Sequence, residues 1–98
     1  MLSKAKKVIR YFGFKNQIRK LSEENFELIE ALLEYSNYIL FDEHKKELRE
    51  KIIDELADNW FLLLQFVQYL GVKDGDLWDK LEFKSDRTLR RMGEGYYD

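Results

Sequence analysis

Two groups of carboxylates stand at helical spacing in this chain. The first is the run Glu23-Glu24-x-x-Glu27, and the second is the pair Glu55-x-x-Asp58. Residues three apart lie about 60° apart around a helix axis, so the members of each group share one helix face. Like charges at this spacing repel each other across a helix turn. The sequence therefore predicts that something compensates the charge.

The second group borders an apolar region. The face that carries Glu55 and Asp58 continues with Leu62, and from Trp60 onward apolar residues surround almost the whole helix. An ionised carboxylate beside a core needs a paired cation, a bound metal or a shifted pKa. Lys51 lies one turn before Glu55, but no basic residue follows Asp58 for several turns. A bound cation is thus one solution for this pair.

A metal site follows if the two groups meet. In helices that pack side by side and antiparallel, Glu24, Glu27, Glu55 and Asp58 converge on one volume, and hard oxygen ligands favour Mg²⁺, with Mn²⁺ as a substitute. The alternative for the first group is a solvated helix face, which is the commoner fate of glutamates. The combination of two acid pairs favours the metal.

Composition restricts the remaining classes. The 98 residues are enough for one domain, 1–98, and 45% hydrophobic with 37% charged residues and no proline indicate a helical globular chain. A net charge of −2 does not indicate binding to a nucleic acid polymer. The absence of cysteine suits a cytoplasmic location. The longest apolar run, WFLLLQFVQYLGV, is shorter than the about 20 residues of a membrane span. The segment MLSKAKKVIRYFGF lacks the apolar stretch of a secretory signal, so we do not expect export.

The apolar spacing predicts an all-α bundle of three long helices plus a short N-terminal helix. The short leading helix spans 1–12 and ends at Gly13, and Asn16 caps the second helix, which frays around 35–41. The third helix is the longest and spans 42–70.

Caps and stops delimit the later helices. We expect Asp42 to cap the third helix and Gly71 to end it. The fourth helix spans 77–92, with Asp76 as its cap and Gly93 as its stop, and 93–98 form a mobile tail.

Packing in so short a chain predicts an apolar face that oligomerisation covers, in a homodimer or a homotetramer. The aromatic residues at helical spacing are expected in the core rather than stacked on a ligand; they are Trp60, Phe61, Phe66, Tyr69, Trp78 and Phe83.

The runs FGFKNQIRKLSEENFEL and KIIDELADNWFLLLQFVQYLG resemble the MazG-type all-α nucleoside triphosphate pyrophosphohydrolases, whose pattern is EExxE followed, after a connection, by ExxD. The resemblance covers residues 12–92. It implies a MazG-like bundle and a Mg²⁺-dependent hydrolase for nucleotide pool cleansing. Such an enzyme splits an NTP or dNTP between its α and β phosphates, giving the monophosphate and pyrophosphate.

The same resemblance implies roles for the acids. Glu24, Glu27, Glu55 and Asp58 would be the metal ligands. Glu23 and Glu24 would be the catalytic residues, with Glu23 as an auxiliary ligand or as the group that orients water.

Basic residues recur on the last helix at spacings of four, three and four: Lys80, Lys84, Arg87 and Arg91. They could clamp a triphosphate, because lysine and arginine donate charge-assisted hydrogen bonds to phosphate oxygens. The alternative is a solvated face with local ion pairs. The family often has a lysine followed by an asparagine here, and this chain has Lys84-Ser85-Asp86. Gln17 and Lys20 also resemble positions near the family's substrate pocket.

Two other functions stay open at this point. A non-catalytic helical module for oligomerisation or protein interaction would use the same apolar faces. The basic N-terminal segment, with Lys4, Lys6, Lys7 and Arg10, could instead contact a nucleic acid or an anionic membrane.

Overall fold

The computed structural model describes residues 1–37 and 42–96. It contains four helices, and no strand occurs in these residues: α1 (Leu2–Phe12), α2 (Phe14–Tyr35), α3 (Asp42–Tyr69) and α4 (Asp74–Gly93). The predicted all-α class is confirmed, as are the short leading helix and the greater length of the third helix. Residues 38–41, which include part of the segment where fraying was predicted, lie outside the described residues.

A single glycine separates α1 from α2. Gly13 has a φ of 94°, which L side chains rarely adopt, so the chain changes direction there within one residue. The second helix therefore begins at Phe14, and the prediction that Asn16 caps it is wrong. Asn16 lies in the first turn, where its Nδ2 donates to the Phe12 carbonyl oxygen at 2.7 Å. It satisfies the end of α1 rather than the start of α2.

The turn between α3 and α4 confirms Gly71 as the stop of the third helix. Gly71 has a φ of 65°, and the Val72 amide donates to the Val67 carbonyl at 3.1 Å, which is the pattern of a Schellman motif. Asp42 is the first residue of α3.

The start of α4 differs from the prediction. Lys73, with an extended backbone, is the N-cap, and Asp76 lies within the first turn. The helix begins three residues early because Asp74 and Asp76 both favour its positive N-terminal end. At the other end Gly93 is the last helical residue, and a turn through Glu94 and Gly95 follows. Residues 97–98 of the predicted tail lie outside the described residues.

Helices α1, α2 and α3 pack together, and their core is small. Its buried apolar residues are Ala5, Ile9, Ala31, Leu48, Ile52 and Leu62. The α2 and α3 helices run antiparallel, since Gln17 contacts Gln65 near one end of the pair and Glu34 contacts His44 near the other. This is the arrangement that the acid groups require in order to meet.

The last helix stands apart from the rest. Within the described part of the chain, α4 packs against none of the other three helices and has no buried residue. Its Trp78 and Phe83 are 62% and 66% exposed, and Trp60 on α3 is 67% exposed. The prediction of core positions is wrong for these three aromatics, which no described helix covers, and for Tyr69, which is 51% exposed. Phe66, by contrast, packs edge-on against Phe14 with ring centroids 5.4 Å apart.

One side of the α2–α3 pair is apolar, and its side chains are exposed among the described residues. On α3 the exposed residues Ile53, Leu56, Trp60 and Leu63 recur at spacings of three and four, and α2 exposes Ile18, Ile29 and Leu32. At about 100° per residue, these side chains project from the flank opposite the acids on each helix. Because the helices are antiparallel and share an acidic flank, their opposite flanks coincide. We call this seven-residue surface the apolar flank.

None of the described helices combines the length and apolar character needed to cross a membrane.

Candidate metal centre

The helix α2 presents a narrow face to α3. Its buried residues Gln17, Glu24 and Ala31 recur every seven residues, which brings them to one side of the helix. Glu24 is thus a charged residue at a core-facing position, and it is only 8% exposed. Opposite it, α3 presents Glu55 and, one turn later, Asn59.

Three carboxylates from the two helices meet at this crossing. One oxygen from each of Glu24, Glu55 and Asp58 lies within 4.8 Å of the other two. Glu24 is buried, Glu55 is partly buried and Asp58 is exposed, so the cluster runs from the helix interface to the surface. We call these three residues the acidic cluster. It is reachable from solvent on the Asp58 side.

The acidic cluster has less hydrogen bonding than its burial requires. Lys20, which precedes Glu24 by one helix turn, has its Nζ 3.1 Å from Glu24 Oε1. The second oxygens, Oε2 of Glu24 and Oε2 of Glu55, are buried, and while both carboxyl groups are ionised they have no hydrogen-bond donor among the described residues. Buried carboxylate oxygens without donors are costly, which makes an added cation or its bound water favourable here.

Electrostatics within the cluster oppose ionisation of Glu55. Burial, and then the charges of Glu27 and Glu24, raise the pKa of the Glu55 carboxyl above its usual value. The charge of Asp58 acts in the same direction. A cation between these groups would replace their mutual repulsion by attraction. The electrostatic energy of the cluster is therefore less favourable without a metal than with one.

The donor set fits a hard divalent cation. Three oxygens bound to one octahedral Mg²⁺ include at least two neighbouring pairs about 3 Å apart, because each metal–oxygen distance is about 2.1 Å. The three oxygens of the cluster lie within 4.8 Å of one another, so their side chains would have to rotate inward to share one ion. Carboxylates without any thiolate or imidazole suit hard cations such as Mg²⁺, Mn²⁺ or Ca²⁺.

The two remaining acids of the first group lie around this cluster. Glu27 does not belong to the three whose oxygens are within 4.8 Å, but its charge is the largest Coulombic influence on the Glu55 pKa. Glu23 lines a neighbouring groove. The structure thus brings together three of the four predicted ligands and places Glu27 near them.

A groove lies beside the cluster along α2. It has a volume of about 460 Å³, and its lining residues are Phe12, Asn16, Gln17, Arg19, Lys20 and Glu23. Lys20 is half exposed here, and its hydrogen bond with Glu24 raises the pKa of the Lys20 ammonium. Gln17 is buried, and its Nε2 donates to Gln65 Oε1 at 2.7 Å. Lys20 is therefore available to a ligand, whereas the Gln17 amide already has a partner.

The basic residues of α4 are not brought to the acids. Because α4 packs against no other described helix, its residues Lys80, Lys84 and Arg87 do not contribute to the acidic cluster of the same chain. The Arg87 guanidinium lies over the Phe83 ring at 5.7 Å from its centroid. Arg91 similarly lies over Tyr96 at 4.9 Å. Both arginines are thus engaged locally.

Two residues of this region were not singled out from the sequence. Asn59 binds the main chains of both helices at the cluster, and Arg19 lines the groove. The signal for Asn59 was its position, one turn after Glu55 and directly before the apolar run that begins at Trp60. A polar amide at such a position indicates a specific partner.

Comparison with known proteins finds no matching family model, no matching curated protein and no matching solved structure. The roles of these residues therefore depend on the geometry of the site and on the motif pattern.

Proposed function

We propose that this protein is a Mg²⁺-dependent nucleoside triphosphate pyrophosphohydrolase of the MazG type. It would hydrolyse an NTP or dNTP to the monophosphate and pyrophosphate, and so cleanse the nucleotide pool of the cytoplasm. The observation that carries the proposal is the meeting of Glu24, Glu55 and Asp58, from two separate helices, with oxygens within 4.8 Å of one another. The resemblance in motif pattern supplies the reaction class.

The residues divide into two roles. Glu24, Glu55 and Asp58 would hold the cation, with Glu27 as the next available ligand. A bound Mg²⁺ supplies neutralisation of phosphate charge and a lowered pKa for its bound water. The reaction consumes one water and breaks the P–O bond that links the α and β phosphates.

The groove beside the cluster suits the rest of the substrate. Lys20 and Arg19 line it, and both donate hydrogen bonds that phosphate oxygens accept. Lys20 would exchange its contact with Glu24 for a phosphate once a cation neutralises that carboxylate. Glu23 lines the same groove, and in this proposal it would orient the attacking water.

Replacement of the cluster acids tests this proposal. We expect Glu55→Ala and Asp58→Ala to abolish Mg²⁺-dependent release of pyrophosphate while the far-UV circular dichroism stays helical. Glu47→Ala, on an exposed position of the same helix, is the matched control and should keep full turnover. Unchanged turnover in both cluster variants would contradict the proposal.

We also propose that the protein is a homo-oligomer, with the homodimer as its basic unit, and that a second copy covers the apolar flank. The seven half-exposed side chains offer on the order of 700 Å² of apolar surface, against about 800 Å² per partner in a standard interface. Two copies of the α2–α3 pair would then form a four-helix arrangement with the acids on its outer sides. A homotetramer would need a further surface, for which α4 is available.

A charge on the apolar flank should separate the copies. We expect Leu63→Glu to raise the dimer dissociation constant at least about 100-fold, since a carboxylate would be buried without a partner. Light scattering after size-exclusion chromatography measures the mass. Tyr11→Glu, at the most exposed aromatic of α1, is the control and should leave the mass unchanged. A monomeric wild-type protein at high concentration would contradict this proposal.

A non-catalytic interaction module is the second candidate function. The uncovered apolar flank and the unpacked α4 favour it, because both are surfaces that need a partner. A stable oligomer that binds neither Mg²⁺ nor any nucleotide would support this candidate and exclude the hydrolase.

A further inference from the structure

Asn59 lies buried between the two helices that carry the acidic cluster. It is 5% exposed, and its Nδ2 donates to the Glu24 carbonyl oxygen at 3.1 Å and to the Glu55 carbonyl oxygen at 2.7 Å. One acceptor is on α2 and the other is on α3. Both are main-chain groups of residues whose side chains form the cluster.

These two hydrogen bonds join α2 to α3, and neither helix requires them to complete its own main-chain hydrogen bonding. Carbonyl groups inside a helix already accept one hydrogen bond from the helix, and the second lone pair is what the Asn59 amide uses. A side chain that bonds both carbonyls at once restricts the separation and the register of the two main chains. Glu24 and Glu55 are 31 positions apart in sequence, so only tertiary contacts can fix their relative position.

An apolar residue would serve mere packing better at this position. Asn59 Oδ1 is buried and has no hydrogen-bond partner among the described residues, which is a cost that leucine, with the same branched shape but no polar atom, would avoid. Oε2 of Glu24 and Oε2 of Glu55 are also buried without partners. The polar groups that cost stability are thus concentrated on the residues of the cluster and on the residue that ties them together.

We propose that Asn59 is a positioning residue of the metal centre. By holding the main chains of Glu24 and Glu55 together, it sets the separation at which their carboxylates share one cation. Asn59 itself is not a ligand in this proposal, and it acts through the two glutamates. The inference depends on the proposed metal site but makes a claim about this chain's own amide, which metal binding alone can test.

The first test is a titration of the full chain with Mn²⁺ in the absence of nucleotide. Electron paramagnetic resonance measures the concentration of free Mn²⁺ at each point. We expect Asn59→Leu to raise the Mn²⁺ dissociation constant by about 10- to 100-fold, the usual effect of removing a residue that orients metal ligands. Excess Mn²⁺ should then restore kcat to near the wild-type value. Because excess Mn²⁺ also stabilises the folded state by mass action, thermal unfolding in EDTA must first show that Asn59→Leu is folded at the assay temperature.

Gln65→Leu is the matched control. Gln65 is also a buried amide on α3, at 1% exposure, but its side chain bonds Gln17 and not the cluster. We expect this variant to lose thermal stability and to keep the wild-type Mn²⁺ affinity. If both variants lose affinity equally, Asn59 has no special position and the proposal is overturned.

A milder variant keeps the test valid if Asn59→Leu does not fold. In Asn59→Ser the hydroxyl can still bond the Glu55 carbonyl four residues earlier but cannot reach across to Glu24. We expect weakened Mn²⁺ binding here too, whereas wild-type affinity would overturn the role of the interhelical bond. Absence of Mn²⁺ binding by the wild-type protein is a different outcome, since it would overturn the metal centre itself.

Discussion

The substitution Glu55→Gln removes one negative charge from the acidic cluster and preserves the size of the side chain. Its effect on stability follows from the spacing of the carboxylates. Two unit charges at 4.8 Å, the upper limit for the separation of these oxygens, repel by about 1 kcal/mol in water and by about 3.5 kcal/mol at an effective dielectric constant of about 20. Because the cluster opens to solvent at Asp58, the smaller value applies.

Without metal, Glu55→Gln should therefore be more stable than the wild-type protein. A gain of about 1 kcal/mol corresponds to a Tm higher by about 4–8 °C in a domain of this size. With metal the order should reverse. A cation at 100 times its dissociation constant stabilises the wild-type fold by about 2.7 kcal/mol, and the variant has lost one of the ligands that provide this gain.

Thermal unfolding followed by circular dichroism, in EDTA and in excess Mg²⁺ or Mn²⁺, measures both effects. Glu47→Gln makes the same chemical change at an exposed position of α3 outside the cluster, and its Tm should follow the wild-type value in both buffers. A lower Tm for Glu55→Gln in EDTA would refute the repulsion. An equal response of variant and wild type to metal would refute ligation by Glu55.

Three further predictions concern pH, the groove and the turn before α4. The pKa of Glu55 is raised by burial and then by Glu27 and Glu24, so the unfolded chain loses this proton first. In the absence of metal, the free energy of unfolding should fall as the pH rises from the pKa of Glu55 in the unfolded chain, near 4.5, through its higher pKa in the folded protein. Denaturant titrations at several pH values should find a weaker dependence of this free energy on pH in Glu55→Gln than in the wild-type protein. Lys20→Met should raise KM for the triphosphate about 10- to 100-fold with Mn²⁺ affinity unchanged or tighter, in parallel kinetic and binding assays; an unchanged KM would remove Lys20 from the substrate site. Gly71→Ala, at a φ of 65°, should lower stability by about 1–2 kcal/mol in denaturant unfolding, and no loss would contradict the left-handed turn.

The sequence was sufficient to predict the acidic cluster because two regular spacings define it. Positions three and four apart lie on one helix face, so the only further requirement was an antiparallel pair. The contacts between Gln17 and Gln65 and between Glu34 and His44 satisfy that requirement.

Local geometry limited the other predictions. Asn16 has the chemistry of a cap, but the positive φ of Gly13 starts α2 at Phe14 and leaves Asn16 inside the first turn. At α4 the first acidic residue, Asp74, begins the helix before Asp76. Each error arose where two neighbouring residues could both begin a helix.

The position of α4 could not be predicted from periodicity. Its apolar residues indicate a helix with a face to bury, but they do not specify which surface covers that face. In the described part of the chain nothing covers it, so Trp78 and Phe83 are exposed and the basic residues stay away from the acids. Asn59 escaped prediction for a related reason, since its partners are main-chain atoms and carry no side-chain pattern.

The hydrolase proposal is tested most directly by the products formed from a panel of ribo- and deoxynucleoside triphosphates. Phosphorus NMR separates monophosphate plus pyrophosphate from diphosphate plus phosphate in each reaction. We predict pyrophosphate and monophosphate from at least one triphosphate with Mg²⁺ present, and neither product in EDTA. Folded protein that turns over no triphosphate with Mg²⁺, or that releases single phosphate instead, would contradict the account.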